Sequence, residues 1–164
     1  MTINFFVPGI PVPGGSKRAF LIHQKGCPAG RRKSAKGPCV CHPFTTVSHA
    51  AGQRNKNWRA EIIKFAFEEM KISNIGQFNG PLRVSLKFRM PRPKHHCGKH
   101  GVLPSAPAYP EGKPDLLKLA RATEDALTGI CWRDDNANVK LILTKEYAPI
   151  SETPGVDIWI DSLQ

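Results

Sequence analysis

The chain has 164 residues, 40% of them hydrophobic, with 24 lysines and arginines against 13 aspartates and glutamates, for a formal charge of +11. That length suits one domain with a real core; no apolar run approaches the ~18 residues of a membrane span, and five cysteines, an odd number, argue against a disulfide scaffold. The opening MTINFFVPGIPVPGG has neither the basic start nor the long apolar stretch of a secretory leader, so a cytoplasmic location is expected. So large a positive surplus predicts attraction to a polyanion, with nucleic acid the first candidate.

In chain order, residues 3–7 predict a strand, closed by the prolines and glycines of PGIPVPGG. From Ser16 to about Gln53 the chain is rich in Gly, Pro, Lys and Arg and holds no sustained period of 2 or 3.6, so a long inserted loop is expected. Asn55–Lys71 is a predicted helix: Trp58, Ile62 and Phe65 fall at i, i+4 and i+7, and Ile63, Phe67 and Met70 widen the stripe. Leu82, Val84, Leu86, Phe88 and Met90 then alternate with Arg83, Ser85, Lys87 and Arg89, the pattern of a half-buried strand with a basic wet face. The proline-rich segment 91–114 is a second loop, and Leu116–Leu127 is a second helix, punctuated by Gly129. NVKLILTKEY and GVDIWID are closing strands. Val139, Leu141 and Leu143 share one face of the first, and Val156, Ile158 and Ile160 one face of the second. A turn over Pro149–Gly155 is expected to join them as a hairpin. The order predicts a single α+β domain over residues 1–164: a small mixed sheet, two main helices and a long basic loop at about 16–53 that carries cysteines and histidines.

The stretch KPDLLKLARATEDALTGICWRDDNANVK, residues 113–140, gathers carboxylates in an otherwise basic chain. Asp115 precedes a run of helix formers and is a natural N-cap, while Asp134 and Asp135 precede a strand, where aspartate favours turns. Those roles account for each acid singly but not for their sharing one short unit. Divalent cations such as Mg²⁺ take oxygen ligands, usually one or two carboxylates plus water and a phosphate. Such an ion polarises a phosphodiester and activates a water. Carboxylates ringed by basic residues suit a metal-dependent nuclease, provided Asp115 and Asp135 converge in the folded subunit.

The same stretch resembles the signature of RusA-type Holliday-junction resolvases, especially those carried by bacteriophages: roughly K-P-D-L-D-K-L, then D-A-L-T-G, then an aromatic-x-D-D and a valine. The likeness extends to FFVPGIPVPGGSKRAF, to WR in the first helix, to GPLRVSLKFRMPRPK and to the closing K…Y…PGV, and it leaves out roughly residues 23–52. The resemblance implies a homodimeric endodeoxyribonuclease that uses Mg²⁺ or Mn²⁺ to make paired nicks across four-way DNA junctions in recombination and repair. It would work in the cytoplasm, that of a host if phage-encoded, without contact with a membrane. The resemblance places Asp115 and Asp135, with Asp134 as neighbour, as metal-holding catalytic acids and matches Asp125 to the aspartate of D-A-L. Arg121 stands where some members carry a catalytic lysine; an arginine keeps the charge but not the compact ammonium. Arg121 and Lys118 would then stabilise negative charge as it develops on the phosphate. Asp125 lies ten helical residues beyond Asp115, about 15 Å along the axis, and reads as a structural acid. Leu117 occupies the family's second acid position. That departure opens an alternative, a non-catalytic junction-binding relative that has lost full metal binding.

The loop SKRAFLIHQKGCPAGRRKSAKGPCVCH supplies Cys27, Cys39, Cys41 and His42, with His23 and His49 nearby, enough donors for a closed structural zinc site. A loop without its own core would gain folding energy from such an ion, although C-x-C stands here where C-x₂-C is usual. His95, His96, Cys97 and His100 form a second, looser group. A further alternative follows, a zinc-stabilised nucleic-acid adaptor in which this loop is the working part. Lys17, Arg18, Arg31, Arg32, Lys33 and Lys36 make the loop a phosphate clamp, and Arg83, Lys87 and Arg89 are expected to continue the DNA track across the sheet. Trp58 and Trp159 are expected in the core, and Cys131 and Trp132 are expected to pack beside the acids.

Overall fold

A computed structural model describes residues 1–15, 17–24, 27–28, 41, 44–49 and 52–163. Along the chain run β1 (Thr2–Pro8), β2 (Lys17–Ile22), β3 (Phe44–His49), α1 (Gln53–Ile72), β4 (Leu82–Met90), the two-residue strands β5 (Cys97–Gly98) and β6 (Gly101–Val102), α2 (Leu116–Leu127), β7 (Asn138–Tyr147) and β8 (Gly155–Ser162). They form two compact units, one of residues 15–52 and one of residues 1–14 with 53–164.

In the larger unit four strands make one mixed sheet in the order β1-β8-β4-β7, with β8 antiparallel to β1 and β4, and β7 parallel to β4. The alternation of β4 decides its faces. Leu82, Val84, Leu86, Phe88 and Met90 are all buried, and Val84, Leu86 and Phe88 pair with the equally buried Ile160, Ile158 and Val156 of β8. Against that apolar face lie Trp58, Ile62, Ala66 and Met70 of α1 and Leu119, Ala120, Ala126 and Leu127 of α2. The buried apolar residues of α1 thus step by four, with Phe65 partly buried against the same core. Ile63 (37% exposed) and Phe67 (63%) fall outside it, although the sequence pattern counts them in.

The pairing of the last two strands differs from the expected hairpin: β4 lies between β7 and β8. Period-2 alternation tells which face a residue takes but not which strand lies beside it. Burial explains the outcome. Nearly every side chain from Gly155 to Ile160 is buried, which calls for a neighbour on each side, whereas Val139, Leu141 and Ile142 of β7 remain exposed, as an edge strand allows. The connection from β7 to β8 passes the end of β4, where the Ala148 N–H donates to the Met90 carbonyl at 2.8 Å. Trp159, expected in the core, is 36% exposed because it alternates with Ile158 and Ile160 and so takes the opposite face of the sheet.

In the smaller unit the expected featureless loop contains a two-stranded antiparallel sheet, registered from Lys17 opposite His49 to Ile22 opposite Phe44. The runs RAFLI and FTTVS are short but rich in aromatic and β-branched residues, and the long glycine- and lysine-rich stretch between them hides their signal. Among the described residues no helix is long and apolar enough to cross a membrane.

Candidate active site

Asp115 caps α2. Its backbone is extended (φ −65°, ψ 137°), and its carboxylate accepts the Lys118 N–H at 3.2 Å. The segment leading into this cap is tied down by Lys145 of β7, whose Nζ donates to the carbonyls of Gly112 (2.9 Å) and Pro114 (3.0 Å). At the other end of the helix Asn138, the first residue of β7, donates from Nδ2 to Glu124 Oε1 at 3.1 Å. The helix therefore lies antiparallel to β7, with Asp115 beside the strand's end and Glu124 beside its beginning.

The turn after α2 is built around Trp132. This side chain is fully buried; its Nε1 donates to Thr128 Oγ1 at 3.2 Å, and its carbonyl accepts the Gly129 N–H at 2.7 Å. Gly129 has a φ of +84°, a conformation that a residue with a side chain rarely takes. The preceding Cys131 is also buried, and burial pushes its thiol up to about 12, so it is an inert packing group. From this anchored turn Asp134 projects and accepts the Asn136 N–H at 3.1 Å, opening the 3₁₀ turn Asp135–Ala137 that feeds into β7.

Asp115, Asp134 and Asp135 are all exposed. The chain returns beside the end of α2, not its start. Nine residues separate Asp115 from Glu124, about 14 Å along the helix axis, while Asp135 sits close enough to Glu124 to act on its charge. Among the described residues, Asp115, Asp134 and Asp135 do not gather as a three-carboxylate cluster. The His/Cys/Asp/Glu group whose donor atoms all fall within 4.8 Å of one another is His23, Cys27 and Cys41.

Glu124 escapes notice in the sequence because Asp125 beside it matches the motif; its position on the last turns of α2, facing the returning strand, is the usable signal. Partial burial raises its carboxyl above the ordinary value, the Asn138 hydrogen bond opposes this, and the charges of Asp135 and Asp125 push it further up. A carboxyl raised in the folded state ionises more easily in the unfolded chain, so stability falls as pH rises through the ordinary carboxylate range toward the raised value. Glu124→Gln keeps the Oε1 acceptor for Asn138 and removes the ionisation. Its thermal midpoint is expected to exceed that of the wild type at neutral pH and to match it near pH ~3, below the ordinary carboxylate values. Equal midpoints at both pH values would refute the assignment.

Leu117, Arg121 and Asp125 form one exposed stripe of α2 at i, i+4 and i+8, with Lys118 exposed beside it. Leu117 is 69% exposed, so packing does not explain a leucine there. A groove of about 530 Å³ that reaches Pro114, the residue before Asp115, is lined by Arg54, Lys113, Lys145 and Tyr147 among others, so it carries three cationic side chains.

The basic face of β4 carries its own counter-charges. Arg83 pairs with Asp161 at 2.9 Å, Lys87 with Glu146 at 2.9 Å, and Arg89 with Asp157 at 2.6 Å and with Glu152. Three of these acids pair across strands and Glu152 reaches Arg89 from the turn before β8, so the expected DNA track over Arg83, Lys87 and Arg89 has little unmatched charge to offer. Of the other candidates, Lys17 and Arg18 belong to β2, while Arg31, Arg32, Lys33, Lys36, Cys39 and His42 lie outside the described residues. His95, His96, Cys97 and His100 contribute to no three-donor group among the described residues. The rings of His95 and His96 meet edge-on at 4.4 Å, and Arg92 stacks over Tyr147 at 4.2 Å, a local packing arrangement at the end of β7.

The family model of endodeoxyribonuclease RusA matches residues 38–161, about three-quarters of the chain. The chain belongs to the RusA endodeoxyribonuclease family. The RusA match runs through α1, β4, α2 and β7 and nearly to the end of β8, so it contains Asp115, Arg121, Asp125, Asp134 and Asp135 in their observed order. The RusA match and the two helices laid on one face of a mixed sheet agree with the α+β expectation. No curated protein gives a significant match to the chain.

Proposed function

We propose that this RusA-family protein is a structure-selective endodeoxyribonuclease that nicks four-way DNA junctions during recombination and repair, with Mg²⁺ or Mn²⁺ as cofactor, as a cytoplasmic homodimer. The observation that carries the reading is the family match across the acid-bearing α2–β7 segment in a chain of charge +11. Asp115, Asp134 and Asp135 expose carboxylate oxygens of the kind a hard divalent cation takes, and they would hold the ion once brought together, since they do not gather within the one chain described. Asp115 and Asp134 each give one carboxylate oxygen to a backbone N–H and keep the other available. The bound ion would polarise the phosphodiester and lower the pKa of an attacking water. Arg121 and Lys118, exposed on α2, offset negative charge as it grows on the phosphate, and Arg54 and Lys113 in the neighbouring groove hold the backbone. Because Asp115 and Asp135 lie toward opposite ends of α2, sharing one ion requires either that the turn close onto the helix start or that a second copy of the chain supply one of the two acids. A homodimer would set two such sites at a fixed separation, and selection would rest on junction shape, not on base readout.

A second reading, a junction-binding relative without catalysis, is favoured by the solvent-facing Leu117 at the family's second acid position. Leu117→Asp separates the two. An acid in the first turn of α2 costs no packing and gains about 0.3–1 kcal/mol from the helix dipole. With a labelled four-way junction and Mg²⁺, the wild type is expected to nick, and Leu117→Asp to nick about 10-fold faster or more, as an added metal-site group does. A wild type that binds the junction and never cuts, with cutting restored by Leu117→Asp, would establish the second reading instead.

A further inference from the structure

We propose that His23, Cys27 and Cys41 supply three of the four ligands of a structural zinc ion within the unit of residues 15–52, a donor set separate from the carboxylates of the proposed nuclease. His23 Nδ1 lies 3.5 Å from Cys41 Sγ and 3.7 Å from Cys27 Sγ, and the three donor atoms all fall within 4.8 Å of one another. Zinc bonds of about 2.3 Å to sulfur and 2.0 Å to nitrogen give a tetrahedron whose N–S edges are about 3.5 Å and whose S–S edges are about 3.8 Å. The observed nitrogen–sulfur separations match those edges. Hydrogen bonding explains the arrangement less well. An imidazole Nδ1 has one in-plane position and serves one sulfur at a time, yet here two sulfurs converge on it.

The place of these residues in the chain gives the ion a purpose. His23 directly follows β2, and the Cys27 N–H donates to the Gln24 carbonyl at 3.1 Å, folding Cys27 back toward it. Cys41 lies three residues before β3. The site therefore joins the two chain segments next to the Ile22–Phe44 pair, at the end of the β2–β3 sheet. A two-stranded sheet alone is marginally stable, and this unit spans fewer than ~40 residues, a size at which a metal, disulfides or oligomerisation usually substitutes for a core. Among its residues with described side chains none is buried. Two thiolates and an imidazole select zinc over the hard Mg²⁺ or Mn²⁺ that the carboxylates suit.

The test is elemental analysis of protein produced with zinc and dialysed against metal-free buffer. The wild type and Asp135→Asn are expected to retain about one zinc per chain, while Cys27→Ser and Cys41→Ser lose it, since a structural site needs its full ligand set. Should the serine variants prove insoluble, Co²⁺ exchanged into the wild type is expected to show thiolate-to-cobalt charge-transfer absorption with tetrahedral ligand-field bands. A wild type without zinc, serine variants that keep a full equivalent, or a cobalt protein without thiolate absorption would each overturn the proposal. Junction nicking reports on the carboxylates and zinc content on the thiols, so the two proposals fail separately.

Discussion

If the proposed function holds, Asp135→Asn is expected to bind four-way junctions as the wild type does and to nick them at least about 100-fold more slowly in Mg²⁺, the scale of losing a group that holds or tunes a metal. The substitution keeps the size and hydrogen-bonding capacity of the side chain and removes only the charge that a divalent cation requires. Asp135 is exposed and takes no part in the core, so the fold should be untouched. Asp115→Asn is the companion. Asparagine caps a helix about as well as aspartate, so the bond to the Lys118 N–H survives and any lost activity reports on the carboxylate, not on a frayed helix. Gel-shift titration and single-turnover nicking, run side by side, separate binding from chemistry. A variant that binds normally and cuts at the wild-type rate would remove Asp135 from the mechanism.

Trp132→Ala carries the largest expected cost in stability, about 3–5 kcal/mol, as for other fully buried tryptophans. Trp132 has no exposed surface, closes the turn after α2 through Thr128 and Gly129, and forms a bridge with Phe78. Its loss would leave a cavity and release the turn that holds Asp134 and Asp135, so activity should fall with stability. Trp132→Phe fills most of the space and gives up the bond to Thr128, worth about 1 kcal/mol. Urea unfolding of both variants checks the ordering; a loss under about 1 kcal/mol for Trp132→Ala would show that the turn is held by something else.

How much of this could be read from the amino-acid sequence depends on whether the determinant is local. The faces of β4 follow from alternation alone, and the cap at Asp115 follows from its neighbours, because both are properties of a few consecutive residues. The position of β4 between β7 and β8 is a matter of partner choice, which side-chain period does not encode. In the sequence Arg83, Lys87 and Arg89 read as a free basic face because their counter-ions, Asp161, Glu146, Asp157 and Glu152, lie 59 to 78 residues away and meet them only in the fold, three across strands and Glu152 from the turn before β8. The candidate site divides along the same line. The family likeness points to Asp115 and Asp135 from residue order alone, whereas the approach of Glu124 to Asp135, and of His23 to Cys27 and Cys41, depends on where turns bring the chain back.

The proposed mechanism requires two acids acting on one ion. Anomalous scattering from Mn²⁺ in crystals of the protein bound to a four-way junction tests this directly. The expected result is an ion about 2 Å from oxygens of both Asp115 and Asp135, supplied by one chain or by two, with a junction phosphate as a further ligand. An ion that touches neither carboxylate, or only one of them, beside a correctly seated junction would contradict it.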